Sequence, residues 1–289
     1  MKKIAAETMG VVYRLPVHEL HPHPDNPYAV RDDAPMQELL ESVKKSGVLV
    51  PGIARPLPQG GYQLVAGHRR RHATQLAGLD TMPVLVKDLT DDESIILLVD
   101  SNIQREDILP SERAKAYKMK IDAIKRQGSR TDLTSPNASA KFRSDDIIGE
   151  GQGISGDTVR NYISLNNLIP PLLQMVDERK IALSPAYQLS HLSEQEQDLL
   201  LDTIESEQAT PSISQALRMK KLSQEGTLNE DSMLAIMCEQ KKPVRADVTL
   251  SGDKLRKYFP KSYSPMQMEA VIFKLLEAWQ KKRQRDQSR

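Results

Sequence analysis

Residues 67–73, Gly-His-Arg-Arg-Arg-His-Ala, decide how the N-terminal part of this chain folds. A short apolar run at residues 62–66 precedes them and predicts a β-strand, and apolar residues at helical spacing follow them. We therefore predict a strand, a glycine turn and a helix whose first turn carries three arginines. A helix N-terminus is partly positive, so each cation there is disfavoured by roughly 0.3–1 kcal/mol.

An anion bound at this turn would account for the three arginines. Exposed backbone N–H groups and clustered guanidinium groups are a suitable site for phosphate. The alternative is that the arginines extend into solvent or pair with acidic side chains of the same protein. The sequence favours the anion site and leaves the pairing alternative open.

A second dense polar cluster occupies residues 100–107, directly after a predicted helix with the apolar run Ile95–Val99. One interpretation makes this cluster the second wall of the phosphate site, with Asn102, Gln104 and Arg105 as donors. The other interpretation makes it a solvated linker.

Residues 144–165 show a third pattern, in which a short helix, a tight turn at Gly153 and a second helix follow one another. Ser155 or Asp157 can cap the second helix. This order is typical of a helix-turn-helix, although other helical hairpins share it. The residues expected to contact DNA there are Ser155, Asp157, Thr158, Arg160 and Asn161.

The composition limits the class of protein. The chain has 289 residues, which is long for one core, so several domains are expected. No run of 18 apolar residues predicts a membrane span, and the single cysteine, Cys238, favours a reducing cytoplasm. Three histidines between residues 17 and 24 invite a metal site, but no second ligand cluster follows, so we predict no metal ligands.

The C-terminal region is predicted to be mostly helical. A last helix starts near Ser264, and its apolar residues Met268, Ile272, Leu275 and Trp279 follow a 4-3-4 spacing. This spacing fits a dimer seam, and it also fits packing within the helix's own domain. The mostly basic residues 280–289 could bind nucleic acid without sequence preference.

With these motifs in view, the chain resembles the ParB family of DNA-partition proteins over roughly residues 15–205. Asn26-Pro27 resembles the family's early Asn-Pro turn, and residues 65–71 resemble its Ala-Gly-Glu-Arg-Arg box. Residues 102–107 resemble its Glu-Asn-Ile-Gln-Arg-Glu-Asp motif, and residues 144–165 align with its helix-turn-helix. The two boxes occur in the family's order and with its spacing.

The resemblance implies an α+β fold class. We expect a small mixed α/β nucleotide-binding domain at residues 1–108 and an all-helical domain with the helix-turn-helix at 109–220. A mostly helical C-terminal region at 221–289 would follow.

The resemblance also implies ligands and partners. CTP with Mg²⁺ would bind between the two boxes, and the helix-turn-helix would read a palindromic, centromere-like site in double-stranded DNA. CTP would then close a homodimeric clamp that a ParA-type ATPase moves, in the cytoplasm and not in a membrane. The residues expected to hold the nucleotide are Gly67, His68, Arg69, Arg70, Asn102, Gln104 and Arg105.

Three positions depart from the family pattern. His68 and Ser101 each stand where the family usually has Glu, and Val50 stands where many members have Gln. Serine offers no charge to Mg²⁺ and is not a general base at neutral pH. We therefore expect weak CTP hydrolysis or none, and we assign no catalytic residue.

Two alternatives and one expectation of origin stay open. A ParB-like nuclease would need acidic metal ligands, for which Asp100, Glu106 and Asp107 are candidates. A transcriptional regulator would use the helix-turn-helix without a nucleotide. The unusual C-terminal third favours a plasmid or another mobile element as the origin.

Overall fold

The computed structural model describes residues 11–103, 105, 108–131, 144–239, 257–260 and 262–287. The chain divides into two compact units, Met1–Glu239 and Gln240–Arg289. Strands lie near the start of the first unit and helices make up the rest, so the predicted α+β class is confirmed.

The first unit contains a five-stranded sheet with the order β1-β5-β3-β4-β2. The strands are β1 (Val12–Pro16), β2 (Leu20–Pro22), β3 (Gly52–Pro56), β4 (Tyr62–Ala66) and β5 (Thr81–Val86). β3 and β4 pair antiparallel, whereas β3 pairs parallel with β5 and β2 parallel with β4. This topology places the end of β4 beside the start of β3.

Three helices accompany the sheet, namely α1 (Ala34–Ser46), α2 (His68–Leu76) and α3 (Asp91–Asp100). β4 leads through Gly67 directly into α2, as residues 67–73 predict. α1 and α2 pack together through the buried side chains of Met36, Val43 and Ala73. A separate cluster that includes Leu20, Leu64 and Met82 forms the core of the sheet.

After the sheet and its three helices, the first unit continues with helices from Pro110 onward, and in the described part of the second unit there is one helix. The helices are α4 (Pro110–Thr131), α5 (Ser144–Glu150), α6 (Gly156–Ser164), α7 (Pro170–Asp177), α8 (Leu183–Leu189), α9 (Glu194–Glu207), α10 (Ile213–Gln224), α11 (Glu230–Cys238) and, in the second unit, α12 (Pro265–Gln287). Two short 3₁₀ segments, Val17–Glu19 and Leu165–Asn167, also lie in the first unit.

α5 and α6 form the predicted helix-turn-helix, and two glycines let them approach closely. A Cβ atom on Gly149 would lie 2.5 Å from the carbonyl oxygen of Ile154, and one on Gly156 would meet the carboxylate of Asp146. Glycine is unfavourable inside a helix by about 1 kcal/mol, but at position 149 the backbone contact leaves no room for a side chain. Ile148 and Val159 are buried at this junction.

The predicted three-domain division stays a prediction. The boundary near 108 falls just before α4, and the boundary near 220 falls inside α10. Residues of α11, including Met233 and Ile236, share one buried cluster with Leu200. Within the described ranges, no helix is both long enough and apolar enough to span a membrane.

Candidate functional site

The residue before α2, Gly67, makes a close backbone contact with Gly52 that only glycine allows. Gly67 has φ of 103°, in the left-handed region, and serves as the N-cap of α2. A Cβ atom there would lie 3.1 Å from the Cα atom of Gly52 and 3.4 Å from the guanidinium group of Arg70. The turn therefore brings the first turn of α2 against the start of β3 and leaves space for the Arg70 side chain.

Arg69 is held by a carboxylate from a neighbouring helix. Its two terminal nitrogens donate to the two oxygens of Asp33, at 2.6 and 3.2 Å. Asp33 is also the N-cap of α1, where Oδ1 accepts from the N–H of Met36 at 2.9 Å. The hydrogen bond from Arg69 is the main cause that lowers the pKa of Asp33 to about 2. Asp33 is therefore ionised at neutral pH and joins α1 to α2.

Arg70 and Arg71 differ from Arg69 because, among the described residues, no carboxylate forms an ion pair with either. One terminal nitrogen of Arg70 donates to the carbonyl oxygens of Val50 and Pro51, at 2.6 and 2.7 Å. The Nε atom of Arg71 is buried and has no hydrogen-bond partner in the described part of the chain. Burial lowers the pKa of both guanidinium groups, yet arginine stays protonated in proteins.

Two histidines, His68 and His72, lie on either side of the three arginines. Burial, assisted by the nearby His23 and Arg71, lowers the pKa of His68 to about 4, so its ring is neutral at pH 7. Its Nε2 atom is buried without a partner in the described residues. His72 differs, because its Nε2 atom lies 2.9 Å from Oδ1 of Asp32.

The two interpretations of the arginine run each apply to part of it. Arg69 follows the alternative of pairing with an acidic side chain, since it binds Asp33. Arg70 and Arg71 leave positive charge at the partly positive end of α2, together with a buried donor that lacks an acceptor. An anion with several oxygen atoms could satisfy these donors.

The second polar cluster, residues 100–107, lies at the C-terminus of α3, and two of its side chains donate hydrogen bonds to that end of the helix. The Asn102 amide donates to the carbonyl oxygen of Leu98 at 2.9 Å, and the Ser101 hydroxyl donates to the same oxygen at 3.0 Å. Arg105 is half-buried, whereas Gln104, Glu106 and Asp107 lie outside the described residues. α3 packs against β4, the strand that leads into the arginine turn.

The two clusters are fixed by separate sets of contacts. Arg69 and Arg70 bond to Asp33 and to the segment before β3, while Asn102 bonds within its own turn. The expectation that they form two walls of one site stays a prediction. No group of three or more His, Cys, Asp or Glu side chains in the described ranges is arranged to hold a metal ion.

The predicted DNA-contacting residues lie at the N-terminal end of α6. Ser155, one of the two caps that the sequence allowed, is the N-cap, and its Oγ atom accepts from the N–H of Thr158 at 3.2 Å. Asp157 and Arg160 form an ion pair with each other, and Arg160 also pairs with Asp145 of α5. Asn161 is exposed. The structure thus brings the predicted residues together on one short helix.

The charge of this helix pair is unusual for a DNA-binding element. Residues 144–165 contain four acidic side chains and one basic side chain, a formal net charge of −3. DNA phosphates are attracted by positive charge, so this segment is not suited to hold the backbone by itself. Its polar side chains are better suited to hydrogen bonds with base edges.

Sequence reasoning missed four residues that shape these sites. They are Asp32, Asp33 and Asp145, and the fourth, Arg71, was counted in the predicted anion site but left out of the residues expected to hold the nucleotide. Asp33 before Ala34-Pro35 is a typical helix-start signal, so its cap could have been found. Its pairing with Arg69, 36 residues away, leaves no local signal.

Comparisons with known proteins identify sequence relatives. Residues 1–103 match the family described as ParB N-terminal domain. The chromosome-partitioning protein Spo0J of Thermus thermophilus is 29% identical over 276 residues, which cover 95% of this chain and 94% of that protein. ParB of Myxococcus xanthus is 39% identical over 114 residues, or 39% of this chain and 38% of that protein. A probable chromosome 1-partitioning protein ParB of Deinococcus radiodurans is 33% identical over 161 residues, or 55% of this chain and 49% of that protein.

The chain also shows limited similarity to solved structures. A C-terminally truncated ParB from Caulobacter crescentus, complexed to the centromeric parS site, has a TM-score of 0.45 at 23% identity and covers 78% of this chain and 98% of that one. A Pnob8-like ParB-N domain has a TM-score of 0.47 at 17% identity and covers 79% of this chain and 98% of that one. Both scores are low, and the family relationship rests on the sequence relatives.

The neutral state of His68 predicts a pH dependence of stability. Its pKa is about 4 in the folded chain and ordinarily 6.5, so between these values the unfolded chain binds the proton and the folded chain does not. The free energy of unfolding should therefore fall as the pH is lowered from about 6.5 to about 4, by on the order of 1–3 kcal/mol for this residue. Urea unfolding across this range measures it.

His68→Gln is the control, because glutamine does not titrate and the other histidines remain. As the pH is lowered from about 6.5 to about 4, the wild type should lose stability relative to this variant. A constant difference across the pH range would show that His68 has an ordinary pKa.

Proposed function

Because this chain belongs to the ParB family, we propose that it is a sequence-specific DNA-binding protein of DNA partition that binds a centromere-like site. The observation that carries this proposal is the helix pair α5–α6, in which Ser155 caps the second helix and polar side chains are exposed at its start. The long match to a chromosome-partitioning protein supports it. The expected plasmid or mobile-element origin stays a prediction.

α6 would act as the recognition helix. In a helix-turn-helix the N-terminal residues of the second helix contact base edges in the major groove. Here Asp157, Thr158, Arg160 and Asn161 occupy the first two turns of α6. Asn161 suits adenine, because the N6 amino group of adenine donates to an amide oxygen while N7 accepts from the amide nitrogen, and Arg160 suits guanine.

The arginine turn would hold CTP with Mg²⁺. Arg70 and Arg71 carry positive charge without a paired carboxylate in the described residues, and they lie in the first turn of α2, where backbone N–H groups can bind a phosphate. Gly67, His68, Arg69 and Arg70 would hold it together with the second box. In that box Asn102 and Arg105 are the described donors, and Gln104 falls outside the described residues.

The bound nucleotide would supply phosphate oxygens to Mg²⁺, because the described part of the site offers it little else. Ser101 has no charge, and its hydroxyl is bonded to the carbonyl oxygen of Leu98. Asp100 forms an ion pair with Lys120. We therefore keep the expectation of slow hydrolysis or none, and the pairing of Asp100 also gives a nuclease less support.

α12 offers a surface for a homodimer. Of the predicted seam, Leu275 and Trp279 are 64% and 58% exposed, which is high for apolar side chains, whereas Met268 and Ile272 are half-buried. Exposed apolar helix faces mark sites of association, and a second copy with the same seam would cover this one. A ParA-type ATPase is the further partner that the family implies.

Asn161→Ala tests the DNA-binding part. Its side chain is exposed, so the fold should be unaffected, while discrimination at one base-pair position should fall by about 1–3 kcal/mol. Selection from a library of randomised DNA duplexes, followed by binding measurements at fixed salt, gives the base preference. Asn167→Ala, an exposed asparagine just after α6, is the matched control and should keep it. A wild type that enriches no sequence contradicts the proposal.

Binding of labelled CTP, ATP, GTP and UTP with Mg²⁺ tests the nucleotide part. The wild type should prefer CTP, and Arg70→Ala should weaken binding by at least about tenfold, since a charge-assisted hydrogen bond contributes about 1.5–3 kcal/mol. Arg218→Ala, which removes an exposed arginine paired with Glu239, should bind like the wild type. If no nucleotide binds, the nucleotide-independent regulator takes the place of the clamp.

A further inference from the structure

Arg160 is shared between two carboxylates that differ in exposure. One nitrogen pairs with Asp145, whose side chain is 11% exposed, and the other pairs with Asp157, whose side chain is 79% exposed. Asp145 lies in the first turn of α5, while Asp157 lies one turn before Arg160 on α6 itself. Arg160 therefore has one partner that is nearly buried in the helix pair and one partner that is exposed to solvent.

The two partners should behave differently when DNA arrives. An exposed ion pair contributes little and is easily exchanged, whereas breaking a buried pair leaves an uncompensated charge. Phosphate groups would also repel the exposed carboxylate of Asp157. The nitrogen released by Asp157 is then available, while Asp145 still fixes the other side of the guanidinium plane.

Arg160 is also the only cation among residues 144–165. Guanidinium is planar, with donors in a fixed fork, so its orientation decides whether it can bind the two acceptors of a guanine edge. If Asp145 fixes one side of the guanidinium group and the donors on the other side are free, Arg160 is oriented for a directional contact with a base. A mobile arginine would instead be free to contact any phosphate nearby.

We propose that Asp145 is a positioning residue that orients Arg160 for base recognition, and that Asp157 is the exchangeable partner which Arg160 releases on binding DNA. This inference rests on the proposed DNA-binding function. It adds a source of sequence specificity located on α5, outside the recognition helix.

The test is a double-mutant cycle on base preference, read by selection from randomised DNA duplexes. Arg160→Ala should lower discrimination at one base-pair position by about tenfold. Asp145→Asn should lower discrimination at the same position to a similar extent and should cause no further loss when combined with Arg160→Ala. Asp157→Asn, which removes the exposed partner, should bind random duplexes at least about twofold more tightly. Asp146→Asn is the matched control, because it removes an exposed carboxylate of α5 that is not one of the two partners of Arg160, and it should keep the base preference.

The outcomes separate this inference from its premise. If the wild type enriches no sequence, the proposed function fails. If the wild type is selective but Asp145→Asn keeps full discrimination, or Arg160→Ala does, the inference is overturned. It is also overturned if the loss from Asp145→Asn persists in the Arg160→Ala background, because the effect would then be structural. Asp145→Ser serves the same cycle should the asparagine variant not fold, as judged by thermal unfolding.

Discussion

One carboxylate, that of Asp33, connects the two helices on which the candidate nucleotide site depends. It caps α1 through the N–H of Met36 and binds the guanidinium of Arg69 with both oxygens. Cations at the N-terminus of α2 are unfavourable, and an anion from a neighbouring helix offsets part of that cost. The pair therefore explains how a folded chain tolerates an arginine run where the helix dipole opposes it.

The compensation is incomplete, and the remaining positive charge is what supports the proposed anion site. Arg70 is met by the carbonyl oxygens of Val50 and Pro51, which are partial charges, and the Nε atom of Arg71 has no acceptor in the described residues. The helix-turn-helix shows the opposite balance, since its single arginine is bound by two aspartates. The arginine turn therefore has positive charge without a paired carboxylate in the described residues, whereas in the helix-turn-helix the single arginine is paired with two aspartates.

Local features of both sites could be predicted from the sequence. The strand, glycine turn and helix around Gly67 follow from apolar periodicity over a few residues, and the Ser155 cap follows from residue type at a helix start. The pairs Asp33–Arg69 and Asp145–Arg160 could not be predicted, because they join residues on different helices and leave no periodic signal. The close contact that requires Gly149 could not be predicted either, because residue type alone does not show which backbone atom lies nearby.

The central proposal is that the arginine turn binds an anion, and that Asp33 takes up donors of Arg69 that a phosphate would otherwise accept from. Asp33→Asn tests it most directly, because asparagine is as good an N-cap as aspartate but lacks its charge. The measurement is the dissociation constant for CTP with Mg²⁺, by titration of the wild type and the variant under identical salt. The account predicts tighter binding by the variant, by about tenfold. Unchanged or weaker binding by a folded variant would contradict it.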